Sequence, residues 1–403
     1  MTRSYYTDST TLVFAAEIVA ADTRDGRPAV LLDPGYFYPT SGGQPHDTGE
    51  LRRGDETARV IDVIERESDG AVLHVLDRPL PPGPVAAIID RDRRLDHMRH
   101  HTGQHILSQA FIRVAAAETV GFHLSNQSVT IDLNRADLGA TEIDAAEALA
   151  NEVIQADTPV SVRFVTTAEA AALPLRKTPP GRDGRLRLID IEGFDLTACG
   201  GTHVARAGEV GLVKIARTER RGATTRVEFL CAGRVLADYR AKQDVVRQLG
   251  ELLTTGAAEL PAIVAKLQEE NKALRVDLRR QGDALLVLEA AQLLAAAEPL
   301  GAARLVTRVF AGRSPDELRR LATALAEAGG TVALLGLAGE RSQLVFARSA
   351  DAPGDMGALL KPALAALGGR GGGSPTLAQG GGPAADEAAV AAVLRLARSP
   401  KSR

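Results

Sequence analysis

The chain has 403 residues, with 48 Lys and Arg against 51 Asp and Glu, a formal net charge of −3 and a hydrophobic share of 45%. This length predicts two or three domains with sizeable cores, and the charge balance excludes a globally basic nucleic-acid coat, so any nucleic-acid partner must be met by local patches. Two cysteines, Cys199 and Cys231, are too few for a disulfide framework; the polar start "MTRSYYTDST" and the absence of any long apolar run lead us to expect a cytoplasmic protein.

In chain order, residues 1–90 alternate short apolar runs ("TLVFAAEIVA", "PAVLLD", "ARVIDVIE", "AVLHVLD", "PVAAIID") with Gly, Pro and Asp clusters. They predict a small β-rich, barrel-like domain. Residues 91–236 predict an α+β domain: a helix through "HMRHHTGQHILSQAF", then "SVTIDL", a helical "EIDAAEALANEVIQA", and strand candidates "PVSVRFVT", "RLRLIDI", "VGLVKIART" and "TTRVEFLCAG". Residues 237–298 form a long helical segment in which Val264, Leu267, Asn271, Leu274, Leu278, Leu285 and Leu288 fit a heptad seam that Gln281 interrupts. A dimerising coiled coil and a helix packed on its own domain both fit that pattern. Residues 299–403 predict a compact α/β domain with a glycine-rich loop at 368–383, read as an ordered loop that lets a backbone approach closely.

Four of the eight histidines fall between His97 and His105. On a helix, His101 and His105 are one turn apart on one face and can share a metal. Further on, "CGGTH" spaces Cys199 and His203 around a Gly-Gly turn that lets a thiolate and an imidazole converge. His101, His105, Cys199 and His203 together are the N, N, S, N set expected of Zn2+, whereas each half alone reads equally as core histidines and a structural thiol. Four protein ligands close a tetrahedral site and a catalytic site keeps one position open, so the sequence leaves the zinc's role undecided. Cys231 reads as core. A third feature, "YPTSGGQPHD", places Thr40, Ser41 and Gln44 at a tight turn; by spacing alone it is an ordinary turn, though hydroxyls, amide and backbone N–H groups are gathered there.

These residues carry a resemblance. "FYPTSGGQPHDTG", "RRLDHMRHHTGQHILSQAF", "TVGFHLS", "VTIDL" and "CGGTHV", in this order, resemble the editing domain of alanyl-tRNA synthetases and its free-standing AlaX-type relatives, and "GGRGGGSPTLAQGGGP" resembles the glycine-rich signature of the DHHA1-type domain. No aminoacylation domain precedes residue 1, so we expect the long form of the free-standing editor. The resemblance implies zinc-dependent hydrolysis in trans of Ser-tRNA(Ala), extending to Gly-tRNA(Ala), and a homodimer formed through the helical and C-terminal segments. It implies His101, His105, Cys199 and His203 as zinc ligands, Gln44 as an active-site group, and Thr40 and Ser41 as the hydroxyls that meet the serine side chain. His46 departs from the glycine that synthetases tend to carry before the Asp. The fold class expected is thus α+β: a barrel-like N-terminal domain, a zinc-containing editing domain, a coiled-coil-like helical segment and a DHHA1-like C-terminal domain.

No general base stands out; His97 and His100 are candidates by proximity, and as solvent-facing helix residues they have a bland reading too. Arginine-rich stretches at 91–94, 175–187 and 216–226 are candidate phosphate contacts. Two competing functions are a tRNA-binding protein with a structural zinc, and a DHH-type phosphoesterase, whose Asp-rich motifs we do not find.

Overall fold

The computed structural model describes residues 3–126, 128–177 and 185–398. Two compact units divide the chain, Met1–Leu249 and Gly250–Arg403.

In the first unit, period-2 alternation closes on itself. Strands β1 (Val13–Arg24), β2 (Arg27–Asp33), β3 (Gly49–Arg53), β4 (Glu56–Glu65), β5 (Val72–Leu76) and β6 (Gly83–Ile89) form a closed antiparallel barrel in the order β1-β2-β5-β4-β3-β6. The β1–β2 turn is Asp25-Gly26, both at positive φ (49° and 77°), the geometry that matches the twist of a two-residue hairpin. Inward residues such as Ile18, Val30, Leu32, Leu51, Val60 and Leu76 fill the barrel.

One polar residue is buried with them. His74 is 1% exposed, its Nδ1 lies 3.3 Å from the Val30 carbonyl, and its Nε2 has no partner. Burial pushes its pKa down to about 4, with the Val30 contact opposing. The fold therefore favours the neutral ring, while the unfolded chain takes up a proton near pH 6.5. The stability His74 contributes is complete above about pH 6.5 and is lost as pH falls through about 4, a loss on the order of 3 kcal/mol. Urea unfolding of the first unit at both ends of this window should show a smaller acid loss in His74→Leu than in the wild type; equal losses would refute it.

Helix α1 (Arg91–Ala115) follows the barrel and stops where Ala116 turns left-handed (φ 48°). Residues 100–108 are all buried, so α1 is a central helix covered on every side. Around it stand two antiparallel sheets. One has the order β12-β13-β8-β7, from β7 (Thr119–Leu124), β8 (Val129–Leu133), β12 (Val213–Arg221) and β13 (Thr224–Cys231). The other has the order β11-β10-β9, from β9 (Val160–Thr166), β10 (Arg185–Ile191) and β11 (Asp195–Ala198). Helix α2 (Ala140–Gln155) packs on α1, and the single-turn α3 (Thr167–Ala171) follows β9 behind a Thr166–Glu169 capping box. Met98, Ile106, Leu107, Phe111, Ile131 and Phe229 share one core, with Cys231 in it as expected. Helix α4 (Ala232–Leu253) leaves β13 with no buried residue.

The second unit opens with α5 (Leu260–Ala295), after a break whose Thr254 sits at φ 52°. Of its 36 residues only Leu286 and Ala290 are buried. The heptad residues Val264, Leu267, Leu274, Leu278, Leu285 and Leu288 lie exposed along it. A six-stranded sheet follows in the order β14-β15-β16-β17-β19-β18, in which only β15 and β16 pair in parallel. Its strands are β14 (Glu298–Leu300), β15 (Ala303–Ala311), β16 (Thr331–Ala338), β17 (Ser342–Arg348), β18 (Arg370–Gly373) and β19 (Leu377–Gly382). Helices α6 (Pro315–Glu327), α7 (Met356–Ala366) and α8 (Glu387–Arg398) cover it. A Ser314–Glu317 capping box starts α6, and Leu318, Leu321, Ala322 and Leu325 form its buried stripe.

The glycine-rich stretch departs from expectation: it is a hairpin, β18 paired with β19, rather than a loop. Its glycines are dictated by packing. A Cβ on Gly371 would lie 2.4 Å from the Gln379 carbonyl oxygen, and one on Gly380 would lie 2.3 Å from Leu364 Cδ1 of α7. No helix among the described residues is long and apolar enough to cross a membrane.

Candidate metal centre

Helix α1 carries His101 and His105 on successive turns, and the Gly200-Gly201 turn after β11 swings Cys199 and His203 toward them. The turn tolerates nothing larger at its second glycine, because a Cβ on Gly201 would lie 2.1 Å from His101 Cε1. One donor atom from each of the four residues lies within 4.8 Å of all the others, a cluster that can hold a metal ion. Cys199 Sγ is 3.3 Å from His101 Nε2 and 3.4 Å from His203 Nε2.

Two of the imidazoles are hydrogen-bonded from behind, and the third faces a carboxylate. The Thr202 backbone N–H donates to Gln44 Oε1 (3.2 Å), and Gln44 Nε2 donates to Thr202 Oγ1 (2.8 Å). These two bonds orient the amide, so its Oε1, 2.8 Å from His101 Nδ1, accepts the Nδ1–H and leaves Nε2 bare toward the cluster. His203 Nδ1 pairs with the Thr102 hydroxyl at 3.1 Å, which also accepts the Val204 N–H. His105 Nδ1 lies 3.3 Å from Asp195, whose carboxylate is gripped by Arg176 through Nε (2.7 Å) and Nη2 (3.1 Å). Outer partners of this kind set the tautomer and orientation of metal-ligating histidines.

The electrostatics agree. Burial opposes ionisation of Cys199, yet the charges of His101 and His203 and hydrogen bonds from His101 and His105 bring the thiol well below its ordinary value. Burial alone would lower His105, but Asp195 and the Cys199 sulfur raise it. Cys231 behaves oppositely: burial pushes its thiol up, as for an inert core cysteine.

A pocket of about 250 Å³ opens on His101, His105 and Cys199, with Gly42, Gln104 and Phe122 in its walls. Of the three turn residues singled out, the structure brings Gln44 to the cluster, fully buried behind His101. Thr40 and Ser41 are not brought into that pocket. The Thr40 hydroxyl pairs with His46 Nδ1 (3.0 Å), which also meets Asp62, and Thr40 lines a separate cleft with Arg24 and Arg66. The Ser41 N–H and C=O are spent on Gln44.

His97 and His100, read from sequence as solvent-facing, are both buried. His100 Nε2 accepts the Cys231 N–H and its Nδ1 donates to the Asp96 carbonyl, so both nitrogens are spent. Burial, reinforced by Arg93, pushes His97 down to about 3. Neither ring lines the pocket. Of the basic stretches, Arg94 is buried against Asp47, Arg187 is buried beside the Cys199 carbonyl, and Arg217 and Arg220 are exposed. Residues 178–184 of the 175–187 stretch lie outside the described residues. Sequence reasoning missed Thr102, Asp195 and Thr202, and it named Arg176 only within the 175–187 stretch of candidate phosphate contacts, with no link to the cluster. Thr102 and Thr202 sit inside the two ligand motifs, and that was their only signal.

Comparison with known proteins places the chain. Residues 186–228 match the threonyl and alanyl tRNA synthetase second additional domain, which here contains Cys199 and His203, and residues 302–399 match the DHHA1 domain. The chain is thus related to the aminoacyl-tRNA synthetases that carry this additional domain.

Over most of its length the chain is similar to part of the alanine–tRNA ligases. It is 33% identical to that of Methanoregula boonei over 372 residues, 89% of this chain and 39% of the ligase. To those of Archaeoglobus fulgidus and Halobacterium salinarum it is 32% and 33% identical, over 93% and 95% of this chain and 41% and 42% of the ligases. The chain therefore spans about two fifths of the length of these curated relatives. A crystal structure of the C-Ala domain of Aquifex aeolicus alanyl-tRNA synthetase is 28% identical and covers 26% of this chain and 98% of that one, with a TM-score of 0.23.

Proposed function

We propose that the chain is a zinc-dependent aminoacyl-tRNA deacylase that hydrolyses Ser-tRNA(Ala), and Gly-tRNA(Ala) with it, in trans. The observation that carries the reading is the four-donor cluster opening on a pocket. Zinc suits it: with Zn–S near 2.3 Å and Zn–N near 2.05 Å, a tetrahedral site has S···N edges of about 3.6 Å, close to the 3.3 and 3.4 Å between Cys199 Sγ and the two Nε2 atoms. His101, His105, Cys199 and His203 would hold the ion, which would supply a positive charge that orients the substrate and polarises its ester. Gln44, with no exposure of its own, is a positioning residue for His101 in this reading, and Thr40 and Ser41 are left to shape the turn.

The chemistry fits the relatives' problem. A pocket for alanine cannot strongly reject serine, because one added hydroxyl costs too little discrimination, so a second site must destroy the product. The aminoacyl ester is activated, and its hydrolysis needs mainly a positioned water and stabilisation of the oxyanion. The C-terminal unit would hold tRNA(Ala), and the exposed stripe on α5 would pair with that of a second copy, Asn271 fixing the register. Sedimentation should then report a dimer that Leu274→Asp with Leu278→Asp dissociates; a monomeric wild type would remove this part.

The test of the activity is release of serine from Ser-tRNA(Ala), with Ser-tRNA(Ser) and Ala-tRNA(Ala) as controls. Release from Ser-tRNA(Ala) alone supports the deacylase. No release from a folded, zinc-loaded chain leaves a tRNA-binding protein with a structural metal.

A further inference from the structure

We propose that Arg176 and Lys177 form a phosphodiester-binding lip on the metal pocket, and that Arg176 couples this lip to the metal through Asp195 and His105. The inference rests on the deacylase reading for the identity of the RNA and on the geometry for everything else. Both residues line the pocket that opens on His101, His105 and Cys199. The Arg176 backbone N–H is fixed to the Leu196 carbonyl on β11 at 2.8 Å, so the lip is anchored beside the strand that leads to Cys199.

The guanidinium is only partly spent. Nε and Nη2 grip the two oxygens of Asp195, which is itself fully buried, while the Arg176 side chain keeps 11% of its surface. Among the described residues Nη1 has no hydrogen bond, so on a residue that lines the pocket it keeps N–H groups to donate. Lys177 beside it is exposed, and among the described residues no carboxylate pairs with it. Arg176 and Asp195 neutralise each other, so the lip's net charge is the Lys177 ammonium, with the planar Nη1 edge for direction.

Charge identifies what the lip reads. In an aminoacyl ester the carboxyl group is esterified and the free amino group is cationic at neutral pH, so the amino acid offers no anion and is repelled by the lip. The anions of such a substrate are the phosphodiesters that precede the terminal nucleoside. A cationic lip beside the metal cluster therefore orients the substrate, RNA backbone at the rim and aminoacyl group inward. Since Arg176 holds Asp195 and Asp195 faces His105, one side chain serves both the RNA contact and the metal ligand.

The test uses the full chain with measured zinc content and two probes that carry no ester: the trinucleotide CCA, with two internucleotide phosphates, and adenosine, with none. Wild type should bind CCA at least about tenfold more tightly than adenosine, with a salt dependence that shrinks by about 0.7 in log–log slope, one single-strand phosphate contact, in Lys177→Gln. Lys177→Gln should leave zinc affinity unchanged. Arg176→Lys, which keeps the charge and loses the fork, should lower zinc affinity about 10–100-fold, as loss of an outer partner does. An undiminished CCA preference and salt slope in Lys177→Gln, or unchanged zinc affinity in Arg176→Lys, would overturn the proposal. Because neither probe is hydrolysed, a chain that grips CCA through the lip but releases no serine would refute the deacylase alone.

Discussion

On the zinc-dependent reading, Cys199→Ala is expected to give a folded chain that holds no zinc and releases no serine from Ser-tRNA(Ala). The cluster has one sulfur donor, and the thiol is already held well below its ordinary value by His101 and His203, so it is the anionic member of the set. Removing it leaves three imidazole donors and no sulfur, and the fall in zinc affinity should exceed the ~10–100-fold that loss of an outer partner costs. Asp195→Asn, which spares all four donors, should show that smaller loss. Metal content by mass spectrometry, read beside serine release from Ser-tRNA(Ala), checks both: a metal-free Cys199→Ala chain with full activity would sink the zinc-dependent reading.

The second large effect is expected at the base of the 41–44 turn. Arg94 and Asp47 form an ion pair with both side chains fully buried. Arg94 also donates to the Ser9 and Tyr36 carbonyls, and Asp47 accepts the Tyr38 N–H. The pair thus staples α1 to the segment that carries Gln44. Arg94→Met strands a buried carboxylate and should cost about 3–5 kcal/mol in urea unfolding of the first unit. Arg94→Met with Asp47→Leu removes both charges and should recover part of that loss, although the Tyr38 N–H then lacks its acceptor. A single variant within about 0.5 kcal/mol of wild type would show that the pair is not the staple we describe.

The four-donor cluster is legible in the sequence because few residue types can bind a metal ion, and because helix and Gly-Gly turn geometry impose fixed spacings, His101 to His105 and Cys199 to His203. Its outer partners are not, since an acceptor for an Nδ1–H can be an amide, a hydroxyl or a carboxylate. Here an amide (Gln44), a hydroxyl (Thr102) and a carboxylate (Asp195) face the three rings from three separate segments. The barrel followed from period-2 alternation. The reading of His97 and His100 as solvent-facing failed because α1 is covered all round, and a helix buried on every face has no polar stripe by which to tell its sides. In sequence the hairpin of β18 and β19 reads as a loop because glycine carries no periodicity; its strands exist where neighbouring backbone and Leu364 leave no room for a side chain. Thr40 and Ser41 were near Gln44 in sequence, but the turn aims only the amide inward.

The contacts that assemble the metal centre join residues far apart along the chain: Gln44 to His101 across 57 positions, His101 to Cys199 across 98, and Gln44 to Thr202 across 158. Closing loops of that length costs entropy that these contacts must offset, so the cluster exists only where the fold brings barrel, α1 and the β11 turn together. An unfolded chain presents a local His101–His105 pair and a distant Cys199–His203 pair, never the full set at once. An ion held by all four donors would therefore favour the folded first unit over the unfolded chain.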